Sequence, residues 1–404
     1  MSEWKEYKLE EIIERFIDYR GKTPRKVISG IPLITAKVVK NGRLMPSNEF
    51  IAEEDYHSWM TRGFPEINDI VLTTEAPLGE VALIKDKNVA LAQRIITLRG
   101  KERVVDNIFL KYYLQSPRGQ NELQSRASGT TVMGIKAELL KKIPVFIPPI
   151  EEQKRIAGVL SSLDDKIDLL NRENATLEAL AETLFRHYFI ENPDPTWKEG
   201  KLGDYVIETI GGEWGKETPE EEYNMPVRCL RGADVADLND GLARRTPLRY
   251  IKRSKYDKIE PHSGDIILEI SGGTDTCSTG RVTYINDDVK RLFDYPIVFS
   301  NFCRLLRVDE RYSFFIYCFF RYLHKQGDFF NLENGSSGIH NLDYKALLFD
   351  LTYDMPKDNS YFTEFTKKVT PYYKKINKNK RQIQILMQTR DSLLPRMMSN
   401  VVTI

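Results

Sequence analysis

The stretch EEQKRIAGVLSSLDDKIDLLNRENATLEALAETLFRHY, from Glu151 to Tyr188, decides how this chain is organised. Its seam residues recur at alternating steps of four and three, which is typical of a coiled coil rather than of a surface helix. The seam positions are Ile156, Leu160, Leu163, Ile167, Leu170, Asn174, Leu177, Ala181, Leu184 and Tyr188. Prolines precede the stretch at 148 and 149 and follow it at 193 and 195. We therefore predict one helix of roughly 40 residues, about 60 Å long.

A second seam with the same spacing closes the chain. Its positions are Phe362, Phe365, Val369, Tyr372, Ile376, Asn379, Ile383, Leu386, Arg390, Leu393 and Met397. Pro371 is expected to start this helix at its first turn or to kink it. Each seam holds one central asparagine, Asn174 or Asn379, and placing the two opposite each other brings both helices into one antiparallel register. We predict an intramolecular antiparallel coiled coil whose register this pair sets. Two helices packed separately on their own domains remain the alternative.

The segments before the two seams resemble each other, and this internal repeat predicts two copies of one unit of about 200 residues. Matching blocks follow in the same order: Lys8-Leu9 with Lys201-Leu202, Pro32-Leu33 with Pro226-Val227, 69–72 with 265–268, 79–84 with 280–285, Leu98-Arg99 with Leu306-Arg307, 109–114 with 314–323, 128–131 with 335–338, and 139–148 with 347–356. The offset grows from 193 to about 208, which places the insertions in loops of the second copy.

Alternating apolar residues in these blocks predict strands, so the fold class is mixed α/β. We predict a globular domain over residues 1–150, a central helix over 151–192, a second globular domain over 193–360 and a C-terminal helix over 361–404. An antiparallel helix pair between repeated units generates a pseudo-two-fold axis. The two domains are then expected at opposite ends of a rod.

Composition excludes several classes of protein. The chain has 404 residues, 59 basic and 58 acidic, so its net charge of +1 does not by itself indicate a nucleic-acid binder. No apolar run reaches the ~18 residues of a membrane span, and no secretory signal begins the sequence, so a cytoplasmic location is expected. The four cysteines have no metal-ligand spacing and are expected to be buried free thiols: Cys229, Cys277, Cys303 and Cys318.

Catalytic motifs were sought and none was found. The sequence contains no phosphate-binding G-x-x-x-x-G-K-[ST] loop and no strand-linked G-x-G-x-x-G, and its five histidines lack ligand spacing. The prolines at 148–149 and 193–195 do not form the Asn/Asp-Pro-Pro-aromatic motif of an amino-methyltransferase. We therefore expect no metal site and no catalysis by this chain alone.

Local charge is more informative than the net charge. Between Tyr19 and Asn48 the chain has seven basic residues and no acid, and residues 241–258 of the second copy have seven basic residues and one acid. Such segments suit phosphate contacts, although a solvated surface is the alternative for each. The basic residues are Arg20, Lys22, Arg25, Lys26, Lys37, Lys40 and Arg43, then Arg244, Arg245, Arg249, Lys252, Arg253, Lys255 and Lys258.

Base recognition requires arginine, amide or hydroxyl side chains, and glycine-containing loops bring backbone N–H groups close to phosphates. Each such residue is open to the alternative of ordinary turn chemistry. The further candidates for DNA contact in the first copy are Thr35, Thr73, Thr74, Gln93, Arg94, Gly129, Thr130 and Thr131. Those in the second copy are Trp214, Lys216, Arg231, Ser271, Gly272, Gly273, Thr274, Asn301, Ser336 and Ser337.

The segment from Ser128-Gly129-Thr130 through Ile143-Pro144-Val145 to Ile147-Pro148-Pro149-Ile150-Glu151-Glu152-Gln153 resembles one of a known family. In the specificity subunits of type I restriction–modification enzymes, a "G-T…L…I-P-[LV]-P-P-x-x-E-Q" segment closes each target recognition domain and enters a conserved helix. The second copy departs from it, because Tyr353-Asp354-Met355-Pro356 keeps one proline and lacks Glu-Gln. With both domains and both helices accounted for, the resemblance covers essentially the whole chain.

This resemblance implies a non-catalytic DNA-recognition subunit with two target recognition domains. The family binds a bipartite, asymmetric target in double-stranded DNA, one half-site per domain, and docks two methyltransferase (modification) subunits and restriction subunits. It further implies that S-adenosylmethionine, ATP and Mg act on those partners and that this chain binds no cofactor. A two-module DNA-binding protein or a scaffold outside restriction–modification is the alternative, and unrecognised catalytic chemistry is a third possibility.

Overall fold

A computed structural model describes residues 4–129, 132–239, 246–274, 276–335 and 340–399. The chain forms two compact units. One contains residues 1–166 and 387–404, and the other contains residues 167–386. Each unit therefore combines one globular domain with part of both long helices, so the predicted division into separate domains and helices stays a prediction.

The first half of the chain consists of short strands and helices followed by one long helix. Its strands are β1 (Lys5–Lys8), β2 (Ile13–Asp18), β3 (Ile31–Ile34), β4 (Val39–Lys40), β5 (Arg43–Leu44), β6 (Phe50–Ile51), β7 (Ile70–Thr74), β8 (Leu78–Leu83), β9 (Ala90–Leu91), β10 (Ile95–Gly100) and β11 (Pro144–Ile147). Its helices are α1 (Leu9–Ile12), α2 (Tyr56–Trp59), α3 (Asn107–Gln115), α4 (Pro117–Ser125), α5 (Ala137–Lys141) and α6 (Ile150–Phe189).

The second half has a corresponding series of strands and helices. Its strands are β12 (Lys198–Gly200), β13 (Val206–Gly211), β14 (Met225–Leu230), β15 (Leu248–Ile251), β16 (Ile266–Glu269), β17 (Val282–Tyr284), β18 (Ile297–Phe299), β19 (Cys303–Val308), β20 (Glu333–Asn334), β21 (Asn341–Leu342) and β22 (Tyr353–Met355). Its helices are α7 (Gly232–Asn239), α8 (Arg253–Ile259), α9 (Asp287–Lys290), α10 (Glu310–Gln326), α11 (Tyr344–Phe349) and α12 (Ser360–Met398).

The predicted repeat is confirmed by the sheet topology. The first domain has a four-stranded sheet ordered β2-β10-β7-β8, and the second has one ordered β13-β19-β16-β17. A three-stranded sheet accompanies each, β6-β3-β9 in the first domain and β15-β14-β18 in the second. In both smaller sheets one pair is parallel, β3 with β9 and β14 with β18. The two domains are thus the same mixed α/β fold.

One inner strand of each larger sheet, β7 or β16, is buried on both faces, which explains its continuous apolar sequence. In β7, Ile70 and Leu72 pack in the core that contains Phe109 of α3, while Val71 packs in a second core with Leu33 of β3. The corresponding strand β16 behaves in the same way, with Ile266 and Leu268 in one core and Ile267 in another. Each domain therefore has two hydrophobic layers around its larger sheet.

The long helices run antiparallel within each unit. In the second unit, Asn379 contacts Asn174 and Glu364 accepts a hydrogen bond from Tyr188 across 2.7 Å. In the first unit, Arg390 donates to Asp164 across 2.8 Å. The residue numbers of all three pairs sum to 552–554, so one register describes every contact. This is the register predicted from the two asparagines.

Pro371 does not start α12, because the helix begins at Ser360 and continues through the proline. The alternative, that Pro371 kinks the helix, stays a prediction. Pro371 is exposed, whereas Val369 and Tyr373 beside it are buried. Packing of these two buried side chains stabilises the helix although the proline cannot donate a backbone hydrogen bond. Cys277 is exposed rather than buried, because it lies in the loop after β16. Cys229, Cys303 and Cys318 are buried free thiols as expected.

Candidate nucleic-acid interface

In the first domain, three chain segments meet where β7 ends. The Thr74 N–H donates to the Arg94 carbonyl across 2.9 Å, and the Ile135 N–H donates to the Thr74 carbonyl across 3.0 Å. Glu75 forms an isolated antiparallel bridge with Gly134, which is itself bridged to Ser128. Residues 73–76, 93–94, 128–129 and 134–135 are called the first loop cluster. It brings together candidates predicted from three separate segments of the sequence: Thr73 and Thr74, Gln93 and Arg94, and Gly129.

The second domain repeats these backbone contacts where β16 ends. The Ile270 N–H donates to the Phe302 carbonyl across 2.9 Å, and the Leu342 N–H donates to the Ile270 carbonyl across 3.0 Å. Ser271 forms an isolated bridge with Asn341. Residues 269–274, 301–302 and 340–342 are called the second loop cluster. The two clusters therefore share two backbone hydrogen bonds and one isolated bridge at equivalent positions, which together form a common backbone framework.

The side chains carried by this shared framework differ in chemistry. In the first loop cluster, exposed Arg94 forms an ion pair with Glu75 at 3.1 Å. At the corresponding positions the second cluster has Phe302, which is 56% exposed, and Ser271, which is buried. A cation beside a carboxylate recognises different base edges from an aromatic ring beside a hydroxyl. The shared backbone arrangement therefore presents different side chains in the two domains.

Some predicted contact residues of the first domain are not at the surface. Thr73 and Thr74 are buried because β7 lies between two cores, and the Thr73 hydroxyl accepts the Glu80 N–H at 2.9 Å. Thr35 and Gln93 are half-buried. Gly129 is exposed with a φ of +134°, and a Cβ there would lie 2.1 Å from the Val132 carbonyl oxygen. Glycine is therefore required at this turn. Thr130 and Thr131 lie outside the described residues.

In the second domain, Arg231 is engaged inside the protein, since its guanidinium donates to Asp234 at 2.9 and 3.0 Å. The Gly273 N–H is likewise taken by the Thr279 hydroxyl at 2.9 Å. The remaining predicted residues of the second loop cluster that are exposed are Gly272, Thr274 and Asn301. Ser336 and Ser337 lie outside the described residues.

The first basic segment is only partly neutralised by the protein. Arg20 pairs with Asp18 at 2.6 Å, while Glu49 receives both Lys26 at 2.9 Å and Lys37 at 3.5 Å. The hydrogen bond from Lys26 lowers the pKa of Glu49. Within the described part of the chain, Lys22 and Arg25 are exposed and form no ion pair. These two cations remain available to a phosphate.

The second basic segment is partly occupied by carboxylates, and among its described cations Lys255 and Lys258 form no ion pair. Arg249 pairs with Glu217 at 2.9 Å and its guanidinium lies 4.1 Å from the centre of the Trp214 ring. Other cations of the segment and of the preceding loop also have partners: Lys252 with Glu222, Arg253 with Asp257, and Lys216 with Glu220. Arg244 and Arg245 lie outside the described residues. Arg249, Lys252 and Arg253 thus have carboxylate partners within the protein, and their contact with phosphate stays a prediction.

Residues 1–179 match the family of the type I restriction modification DNA specificity domain. Over 401 residues the chain is 25% identical to the type I restriction enzyme MjaIX specificity subunit of Methanocaldococcus jannaschii, covering 93% of this chain and 89% of that relative. The first 179 residues therefore match a type I DNA specificity domain. The chain is also 23% identical over 253 residues to the HindI specificity subunit of Haemophilus influenzae, covering 58% of this chain and 53% of that relative.

The crystal structure of a type I restriction–modification S subunit from M. genitalium has the same fold. It aligns with a TM-score of 0.54 at 17% sequence identity and covers 98% of this chain and 96% of that chain. Within the described residues, no cluster of three or more His, Cys, Asp or Glu side chains has the arrangement of a metal site. None of the chain's described helices is both long enough and apolar enough to cross a membrane.

Sequence reasoning missed two features of this chain. Phe302 was not predicted because its place in the second loop cluster depends on contacts between distant segments. The carboxylates of residues 213–222 were missed although their signal is local. A comparison of charge between equivalent loops of the two copies would have found them.

Proposed function

We propose that this chain acts as a specificity subunit and binds a bipartite, asymmetric DNA target with one half-site per domain. The observation that carries the proposal is the pair of loop clusters, which have the same backbone hydrogen bonds and different side chains. Identical clusters would favour a target with two identical halves, whereas Arg94 and Phe302 at equivalent positions favour two different halves. Glycine turns and the exposed cations Lys22 and Arg25 of the first domain would supply contacts to the phosphate backbone.

The same proposal assigns the chemistry to partner subunits. Two methyltransferase subunits would bind S-adenosylmethionine and methylate adenine, and restriction subunits would use ATP and Mg for translocation and cleavage. The absence of phosphate-binding and methyltransferase motifs from the sequence supports a non-catalytic role for this chain. The long helices offer a docking surface, because Leu169 and Leu180 of α6 are 50% and 45% exposed. They are eleven residues apart, about three turns, and so lie on one face.

The decisive experiment maps methylated adenines at base resolution after the chain is co-expressed with its methyltransferase subunit. A bipartite motif is expected, and replacing residues 201–355 with those of another specificity subunit should change one half only. Cells with the methyltransferase subunit alone are the control and should show no such motif. A single continuous motif, or a swap that changes both halves, would contradict the proposal.

A further inference from the structure

Two loops at the same place in the repeated fold have opposite charge. The first joins β2 to β3 over residues 19–30, and the second joins β13 to β14 over residues 212–224. The first loop has four basic residues and no acid, which gives +4. The second has Lys216 and five glutamates, at 213, 217, 220, 221 and 222, which gives −4. The two domains therefore differ by eight charges in this topologically equivalent loop.

The acidic loop lies against the strand that begins the second basic segment. The backbones of Lys216 and Tyr250 in β15 exchange hydrogen bonds of 2.9 and 3.0 Å. This contact brings Glu217 to Arg249 at 2.9 Å, and Glu222 pairs with Lys252 just before α8. The Glu217 side chain is 83% exposed, whereas that of Arg249 is 11% exposed. The carboxylates thus cover the cations from the solvent side.

The basic loop of the first domain has no such cover. Lys22 and Arg25 are exposed without an ion pair to any described residue. The loop is nevertheless anchored, because the Val27 N–H donates to the Phe50 carbonyl across 2.9 Å. Next to this anchor, Ile28 is 98% exposed. The anchored loop of the first domain therefore exposes two cations without an ion pair, Lys22 and Arg25, and one apolar side chain, Ile28.

We propose that residues 212–224 act as an intramolecular phosphate mimic that occupies Arg249 and Lys252 until the DNA backbone displaces it. This inference rests on the proposed function. A phosphate that binds Arg249 or Lys252 must displace a carboxylate, and that exchange replaces one ion pair with another. Lys22 and Arg25 neutralise phosphates without such an exchange and release condensed counterions in full.

The test measures binding of the full chain to a mixed-sequence DNA duplex at several salt concentrations. Neutralising the cover with Glu217→Gln and Glu222→Gln frees two cations, so the slope of log K against log salt should steepen by about 1.8. The pair Lys22→Gln and Arg25→Gln should make the slope shallower by about the same amount. Glu222→Gln alone should steepen it by about 0.9, and this variant serves if the double variant fails to fold.

A matched control makes the same change in net charge elsewhere in the second domain. Glu199 and Asp354 are exposed cross-strand partners on β12 and β22, and Glu199→Gln with Asp354→Asn should leave the slope within about 0.5 of the wild type. If the cover variant matches this control, the mimic is refuted while the proposed function stands. If the wild-type chain shows no salt-dependent binding to duplex DNA, the proposed function itself fails.

Discussion

Asn379 donates a hydrogen bond from Nδ2 to Oδ1 of Asn174 across 2.9 Å, between the two long helices. The same Nδ2 also donates to Glu173 at 2.8 Å. Asn174 is 8% exposed and Asn379 is 0% exposed, so both are buried. The Asn379 Oδ1 has no described hydrogen-bond partner. A polar pair at one seam position disfavours other registers, because any shift would bury both amides against apolar groups.

The first prediction concerns this pair. Asn379→Leu should lower the free energy of unfolding by about 1–3 kcal/mol, since Asn174 is left buried without its partner. Adding Asn174→Leu should restore most of that loss, because an apolar pair leaves no unsatisfied group. Urea unfolding of both single variants and the double variant gives the coupling energy. The control is Asn171→Leu, because Asn171 is half-buried on α6, the helix that carries Asn174. Additive effects of the two seam substitutions would contradict the prediction.

The second prediction concerns acid stability. Asp164 accepts hydrogen bonds from Lys111 at 2.9 Å, Tyr112 at 2.6 Å and Arg390 at 2.8 Å. Burial alone would raise the pKa of Asp164, but Lys111, Tyr112 and Arg390 together lower it to about 2. Because the folded pKa lies below the usual 3.8, the stabilisation is complete above about pH 4 and is lost as the pH falls towards 2.

Urea midpoints measured from pH 5 to about pH 2 should therefore fall steeply for the wild type, on the order of 2 kcal/mol from this group. Asp164→Asn should lower stability near neutral pH by roughly 3–5 kcal/mol, since it leaves Lys111 buried and unpaired, and should flatten the acid dependence. Asp165→Asn changes an exposed neighbour and is the control. Equal slopes for Asp164→Asn and the wild type would exclude this role.

The third prediction assigns half-sites. Arg94→Ala should change the preference at positions of one half-site by about 1–3 kcal/mol, and Phe302→Ala should change the other half only. Arg103 is a matched control, because it is exposed and has a positive φ of 63° beside the 69° of Arg94. It follows β10 at the end opposite Arg94. Methylation mapping measures all three variants, and an effect of Arg103→Ala equal to that of Arg94→Ala would contradict the assignment.

The fourth prediction concerns partner docking. Leu169→Glu with Leu180→Glu should abolish co-purification of the methyltransferase subunit, because two charges are placed in an apolar contact. Ala175→Glu with Ala179→Glu adds the same charge to exposed positions elsewhere around α6 and should leave co-purification intact. Thermal unfolding of the isolated chain checks that both variants fold. Retention of the subunit by the leucine variant would remove this face from the docking surface.

Much of the fold was predictable because its evidence is local in the sequence. The seam through Asn174 follows from steps of four and three, and the register follows from the second asparagine. The candidate site was less predictable. Thr73 and Thr74 have the hydroxyls of contact residues, yet the two cores around β7 bury them. Pro371 has the side chain of a helix start, yet packing of its neighbours carries α12 through it.

The sequence by itself determined the repeat, the mixed α/β class and the antiparallel pairing of the helices, because periodicity and self-similarity depend only on spacing along the chain. Only the tertiary structure decided which charges are free. Lys26 and Lys37 share Glu49, and Arg249 is covered by Glu217 from a loop that precedes it by about thirty residues. An ion pair depends on distances of a few ångströms between segments that folding brings together, and a count of charges along the chain does not contain those distances.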